Sequence, residues 1–160
     1  MVRKSMMAAA TVAMLMMGGS ALAGYEEADQ LYQKGEFNQA LREFVAAGGG
    51  GNIEATYRAA LMFEAGEGTD KNDETAAKWF QTAARAGHID AMKKLAQMFI
   101  DGRGLPADPV QAWAILQIAI DRGDTEAGKQ QQELEGTMRP GQIEAGKRRL
   151  EKIIGTYAGS

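Results

Sequence analysis

Residues 53–88 read IEATYRAALMFEAGEGTDKNDETAAKWFQTAARAGH, and residues 89–124 read IDAMKKLAQMFIDGRGLPADPVQAWAILQIAIDRGD. At an offset of 36 residues, Ala55 meets Ala91, Ala60 meets Ala96, Met62 meets Met98, Phe63 meets Phe99, Gly66 meets Gly102 and Gly68 meets Gly104. The match continues through Ala76 and Ala112, Gln81 and Gln117, Ala83 and Ala119, and Gly87 and Gly123. Ten identities in one period establish an internal repeat, and a period of this length is the mark of a stacked array of supersecondary units.

Each period reads as two antiparallel helices. In the first helix Ala60 and Phe63, or Leu95, Ala96 and Phe99, are expected to face inward. A Gly-x-Gly then stops it, since glycine takes left-handed backbone angles without a Cβ clash. The second helix opens on Asn72 followed by Asp73 and Glu74, or on Asp108 followed by Pro109. A side-chain oxygen there accepts from free amides, while acids or proline suit the first turn. Ala76, Phe80 and Ala83, like Ala112, Leu116 and Ala119, recur at i, i+4 and i+7 as an apolar stripe, and Gly87 or Gly123 ends it.

Working outward, Ala40, Phe44, Ala47 and Gly51 fall on the frame of Ala76, Phe80, Ala83 and Gly87, which predicts a degenerate unit over 24–52 whose first helix ends at Tyr32-Gln33-Lys34-Gly35. The Gly48–Gly51 tract reads as a frayed end or hinge, because each glycine inside a helix costs about 1 kcal/mol relative to alanine. Downstream, Ala127 keeps register with Ala91, so Thr125 to about Glu135 is expected to be another first helix. Pro140 opens a final amphipathic helix carrying Ile143, Leu150, Ile153, Ile154 and Tyr157, a cap for an array whose last unit has no further neighbour.

Gly66-Glu67-Gly68 with Ala76, Trp79-Phe80 and Ala83 to His88 resembles the Sel1-like repeat, a relative of the tetratricopeptide repeat. Gly102 to Asp108 is similar to that family's interhelical loop, with Ile115 standing where the first copy has Trp79 and Trp113 two residues earlier. The fold expected is therefore all-α: a short α-solenoid of antiparallel helix pairs, with Sel1-like units at 53–88 and 89–124 and C-terminal capping helices over 125–160.

The N-terminus supplies an address. Arg3 and Lys4 precede an uncharged apolar run of 12 residues from Met6 to Met17, and Ala21-Leu22-Ala23 gives the small-x-small pattern before Gly24. This predicts a cleavable signal peptide over 1–23 and a periplasmic or secreted mature protein of the exported bacterial type, without stable membrane insertion. A membrane-tethered chain keeping that segment is the alternative. Loss of residues 1–23, with Arg3 and Lys4 and no acid, takes the net charge from −3 to −5. No concentrated basic face is visible; Lys147-Arg148-Arg149 sits beside Glu144 and Glu151 and reads as a solvated helix face, so a nucleic-acid partner is not expected.

Catalytic chemistry is sparse. Cysteine is absent, and serine occurs only at Ser5, Ser20 and Ser160, leaving no internal serine or cysteine nucleophile in the expected mature domain. Cysteine-rich members of the resembled family have been linked to β-lactams, so a cell-wall or β-lactam-acting enzyme stays as a disfavoured alternative. The only histidine, His88, shares the frame position of Asn52 and Asp124 and reads as a cap. Carboxylate pairs such as Glu64 with Glu67 or Asp70 with Asp73 read as solvated, and Trp79 and Trp113 as packing residues. No catalytic residue, metal site or cofactor is expected.

What remains is surface. A periodic stripe on the first helices holds Glu54, Tyr57, Leu61 and Glu64, then Asp90, Lys93, Gln97 and Ile100, flanked by Gln30 and Gln33 and by Lys129 and Glu133. Tyr57, Leu61, Glu64, Lys93, Gln97 and Ile100 are the candidate contacts for a protein or peptide partner, as expected of a scaffold or adaptor in the cell envelope. Tyr57 and Leu61 would serve as its anchors.

Overall fold

The structure is a computed structural model that describes residues 24–158, with side chains through Ile154. The expected signal segment 1–23 and the side chain of Tyr157 lie outside the described residues. Eight helices and no strand occur among them: α1 over 24–33, α2 Phe37–Gly49, α3 Ile53–Ala65, α4 Asp73–Arg85, α5 Ile89–Asp101, α6 Pro109–Asp121, α7 Thr125–Glu135 and α8 Pro140–Ala158. The fold is all-α. It divides into two compact units at Lys71 and Asn72, the first holding α1 to α3 and the second α4 to α8.

Capping fixes where the helices begin. Asn52 Oδ1 accepts from the Ala55 amide at 2.9 Å, Asn72 Oδ1 from Thr75 at 2.8 Å, Asp108 Oδ1 from Gln111 at 2.9 Å and Asp124 Oδ1 from Ala127 at 2.7 Å. His88 does the same through Nδ1, at 3.2 Å from the Ala91 amide. Each satisfies one of the amides that a helix start leaves without an intrahelical acceptor. The far ends of α3 and α5 close on Gly66 and Gly102, both left-handed, with amides returned to the Met62 and Met98 carbonyls.

The second glycine of each Gly-x-Gly has a further job. A Cβ on Gly68 would collide with the backbone of Phe37 and Asn38, and one on Gly104 with the backbone of Asp73 and Glu74. Thus Gly68 lets the loop after α3 lie against the start of α2, and Gly104 lets the loop after α5 lie against the start of α4. The positive φ of these residues, 77° and 73°, is a second reason for glycine.

In the first unit α2 packs on α3 around Phe44, Ala40, Ala47, Ala55, Ala59 and Met62. Arg58 joins α3 to α1: its Nη2 is 2.9 Å from Asp29 Oδ1, and its guanidinium lies over the Tyr32 ring. Tyr32 in turn donates to Glu67 at 2.8 Å, and that bond, ahead of burial, raises the phenol's pKa. The Gly48–Gly51 tract is not frayed as expected. Gly48 and Gly49 stay helical, and the turn closes through Gly50 N–H to the Ala46 carbonyl and Asn52 N–H to the Ala47 carbonyl. Buried Ala47 holds that last turn against the core, which outweighs the intrinsic cost of its glycines.

In the second unit the stripe residues Ala76, Phe80, Ala83, Ala112, Leu116 and Ala119 are fully buried. On the first helices, Met62 and Met98 fill the core at 2% and 0% exposure, whereas Phe63 and Phe99 remain half-exposed, against the expectation that both aromatics are core. Phe99 lies on the inward arc of α5, but that arc opens onto a cavity at the last turn. Trp113 is a packing residue, 5% exposed, with Nε1 donating to Glu135 at 2.6 Å; Trp79 is half-buried. Buried Gln131 bonds the Trp113 carbonyl and Gln117 Oε1, both at 3.2 Å, tying α7 to α6.

The closing helix α8 packs on α6 by a route the hydrophobic pattern hid. Gly146 is buried against the Trp113 ring so closely that a Cβ would stand 2.7 Å from Cε3. Ile143, Leu150 and Ile153 are only half-buried, and Ile154 is 50% exposed. The closing helix therefore meets α6 through glycine packed on tryptophan, with Ile153 and Ile154 lining the cavity.

Candidate functional site

Two surfaces are candidates, and the expected stripe comes first. In the first unit Tyr57, Leu61 and Glu64 are half-exposed on α3, and Glu54 is exposed. Positions 54, 57, 61 and 64 keep the side chains one helical turn apart, which gives one strip of surface with two apolar members. Gln30 and Gln33 are exposed on α1, Gln33 donating to Asp29 at 2.6 Å.

In the second unit Lys93, Gln97 and Ile100 are half-exposed on α5, and Lys129 and Glu133 are exposed on α7. Lys93 is already engaged. Its Nζ lies 2.9 Å from Asp90 and 3.1 Å from Asp124, with only 18% of the side chain exposed. The hydrogen bond to Asp90, and after it that to Asp124, raises its pKa against the opposing effect of burial. Asp124 is lowered chiefly by the Ala127 amide it caps and secondarily by Lys93. Lys93 is thus a strut from α5 to the start of α7, while Gln97 folds onto Asp101 at 2.9 Å. Ile100 is the apolar point of this strip.

Residues with catalytic potential have structural employment. His88 caps α5, Asp108 and Asp124 cap α6 and α7, and Asp73 lies 3.6 Å from Arg103. Among the described residues no group of three or more histidine, cysteine or acidic side chains is placed to hold a metal, and no helix is long and apolar enough to cross a membrane.

The second surface was missed by the sequence reading. Within the second unit a cavity of about 660 Å³ opens between α4, α5, α6 and α8. Its floor is apolar: Met92, Leu95 and Phe99 from α5, with Ile115 and Ile118 from α6. Ile153 and Ile154 of α8 form a wall, and Arg85, Arg122, Arg149 and Lys152 surround the opening. At about 100° per residue, the arc of α5 that lines this cavity points about 130° away from Lys93, Gln97 and Ile100. The two surfaces are distinct. Lys147, Arg148 and Arg149 are exposed, as expected of a solvated face; Lys147 pairs with Glu144 at 2.7 Å, and Arg149 also reaches the cavity and donates to Gln111 at 2.7 Å.

Comparison with known proteins bears on the fold. A family model described as Sel1 repeat matches residues 53–88 and 89–124. No curated protein matches the chain. Among solved structures, a protective antigen of uropathogenic Escherichia coli strains with an SLR fold superposes at a TM-score of 0.80 and 23% identity, over 89% of this chain and 31% of its own. The chain therefore spans about a third of that antigen. A Sel1 repeat protein from Oxalobacter formigenes gives a TM-score of 0.64 at 24% identity, over 75% of this chain and 97% of its own. Cysteine-rich protein B of Helicobacter pylori gives 0.55 at 18%, over 57% and 68%. These likenesses show a shared solenoid fold. With helix pairs, caps and interhelical glycines all in place, the chain carries two Sel1 repeats, at residues 53–88 and 89–124.

Proposed function

We propose that this protein is an exported adaptor of the cell envelope that binds a protein or peptide partner. The observation that carries the reading is the strip on α3: Tyr57 and Leu61, one turn apart, are held half-exposed on a helix whose opposite arc of Ala55, Ala59 and Met62 is fully spent on the core. Apolar side chains left at a regular spacing on a rigid helix are anchors for an extended peptide or a partner helix. Glu54 and Glu64 frame them and would set the orientation of the guest.

The adaptor role accords with the employment of His88, Asp108 and Asp124 as caps, and location in the periplasm rests on the signal pattern from Arg3 to Ala23. A photo-crosslinking amino acid placed at Tyr57 in living cells is expected to give discrete adducts with one or a few proteins. Adducts appearing equally from exposed control positions such as Lys78 would remove the strip as a binding surface. Mass spectrometry of the protein isolated from cells is expected to show a chain starting at Gly24; a chain retaining Arg3 and Lys4 would replace the soluble adaptor by a tethered one.

A further inference from the structure

The cavity of the second unit carries arginines that the unit does not fully neutralise. Arg85, Arg122 and Arg149 line it, and among the described residues no aspartate or glutamate does, in a chain of net charge −3. Elsewhere in the same unit surface lysines are paired with an acid one helical turn before them: Lys78 with Glu74 at 2.6 Å, Lys129 with Glu126 at 2.8 Å, Lys147 with Glu144 at 2.7 Å. The cavity arginines are treated differently. Arg85 has no hydrogen-bond or ion-pair partner among the described residues. Arg122 reaches only the Gly87 carbonyl at 3.2 Å and Met92 Sδ at 3.9 Å, neither of which bears a charge. Arg149 bonds the neutral amide of Gln111 and makes only a long ion pair, 3.7 Å, with Asp108, whose other oxygen is spent on capping α6.

We infer that this cavity binds a short acidic segment of a partner protein, with bulky apolar side chains on the Leu95–Phe99–Ile115–Ile118 floor and carboxylates at Arg85, Arg122 and Arg149. The volume falls within the range, roughly 300–1,000 Å³, of sites that enclose a ligand. The cations stand on three helices, at the ends of α4 and α6 and midway along α8, so they suit several separated anionic groups better than one head group. Arginine favours this use because its planar fork grips carboxylates at two points. Exposed Ile154 then has a purpose: it closes over the guest instead of over the protein core. The inference rests on the reading of the chain as a peptide-binding scaffold, but on a different surface from the α3 strip.

The test uses the purified protein against a displayed library of random short peptides, followed by fluorescence anisotropy with the recovered peptides synthesised and dye-labelled. Peptides combining aspartate or glutamate with leucine, isoleucine or aromatic residues are expected, and their affinity should fall as salt rises. Arg85→Glu with Arg122→Glu should weaken binding about tenfold or more, the loss of a central anchor. Ile154→Ser should weaken it while leaving the thermal transition unchanged, since that side chain is half in solvent. Recovery of basic or uncharged peptides, or acidic binders indifferent to all three changes, would overturn the assignment. If long-chain fatty acid binds with the same arginine dependence and no acidic peptide does, the cavity takes an amphiphile and the inference fails. Peptides that lose affinity on Tyr57→Ala but not on the cavity changes would sink the cavity and leave the scaffold standing; no peptide binding together with no Tyr57 adducts would remove both.

Discussion

His88 shows how one side chain is chosen by its place in the repeat. Asn52, His88 and Asp124 occupy one frame position and make one bond, to the third amide of the following helix, at 2.9, 3.2 and 2.7 Å. Histidine is not a preferred cap, whereas asparagine is, so His88→Asn is expected to stabilise by about 0.5–1 kcal/mol. In a chain of this length that raises the thermal midpoint by about 2 °C, and His88→Ala should lower it by a similar amount; calorimetry of both variants checks the pair. An unchanged midpoint for both would mean the Nδ1 bond contributes nothing. Asp124 adds a pH dependence. Its folded pKa is lowered below the ordinary 3.8, so the stability it provides is complete above that value and is lost as acid titrates it through the lower folded value. Lys93 is raised above 10.5, so its share is constant across neutral pH and lost only in stronger alkali. Asp124→Asn keeps an oxygen for the Ala127 amide but removes the ion pair with Lys93. It should cost up to about 1 kcal/mol at pH 7, and the variant's melting point should fall less than the parent's between neutrality and about pH 3. Parallel acid curves for parent and variant would refute the strut.

At the scale of the element, the Gly-x-Gly loops set the spacing of helix pairs. Gly104 is constrained twice, by a φ of 73° and by the backbone of Asp73, while Gly123 has a φ of 91° with open space around it. Gly123→Ala should therefore cost only the backbone penalty, about 1–2 kcal/mol, and Gly104→Ala a further 1–3 kcal/mol or so of overpacking. Chemical denaturation of the two variants should separate them; equal costs would show that the loop shifts freely from α4. The same loops explain what was legible beforehand. Helix starts were readable because a cap is a local event: Asn72, Asp108 and Asp124 each need only the next three residues. The α7 bounds, Thr125 to Glu135, follow from that cap and the repeat frame. Phe99 was assigned to the core by direction alone, and direction cannot tell a packed arc from one that opens on a cavity. Gly146 carried no hydrophobic signal, yet it decides how α8 meets α6, because its meaning comes from Trp113 more than thirty residues away. The cavity itself left one faint trace: Arg85 and Arg122 lack the acid at i−3 or i−4 that Lys78, Lys129 and Lys147 all have.

For the molecule as a whole, the boundary between compact units falls at Lys71 and Asn72, between the two helices of the first matched repeat. The second unit, taken by itself, has the larger stock of buried residues. Phe80, Met98, Leu116, Trp113 and Leu134 are enclosed by five helices, three of whose starts carry Asn72, Asp108 and Asp124 as caps. Among its described residues the first unit has three helices, and the large side chains there with less than a few per cent exposed are Phe44 and Met62. Buried fraction falls with chain length, and a piece of fewer than about 60 residues is marginal without disulfides or metals. With no cysteine in the chain, that support is unavailable as a covalent staple. The fragment 72–160 is therefore expected to give a helical spectrum and a cooperative thermal transition alone, and the fragment 24–71 a broad, weakly cooperative one. Far-ultraviolet circular dichroism with calorimetry decides it. A cooperative 24–71 beside a non-cooperative 72–160 would mean that alanine-lined helix contacts around Phe44, with the Arg58–Asp29–Tyr32 network, supply more stability than the larger core.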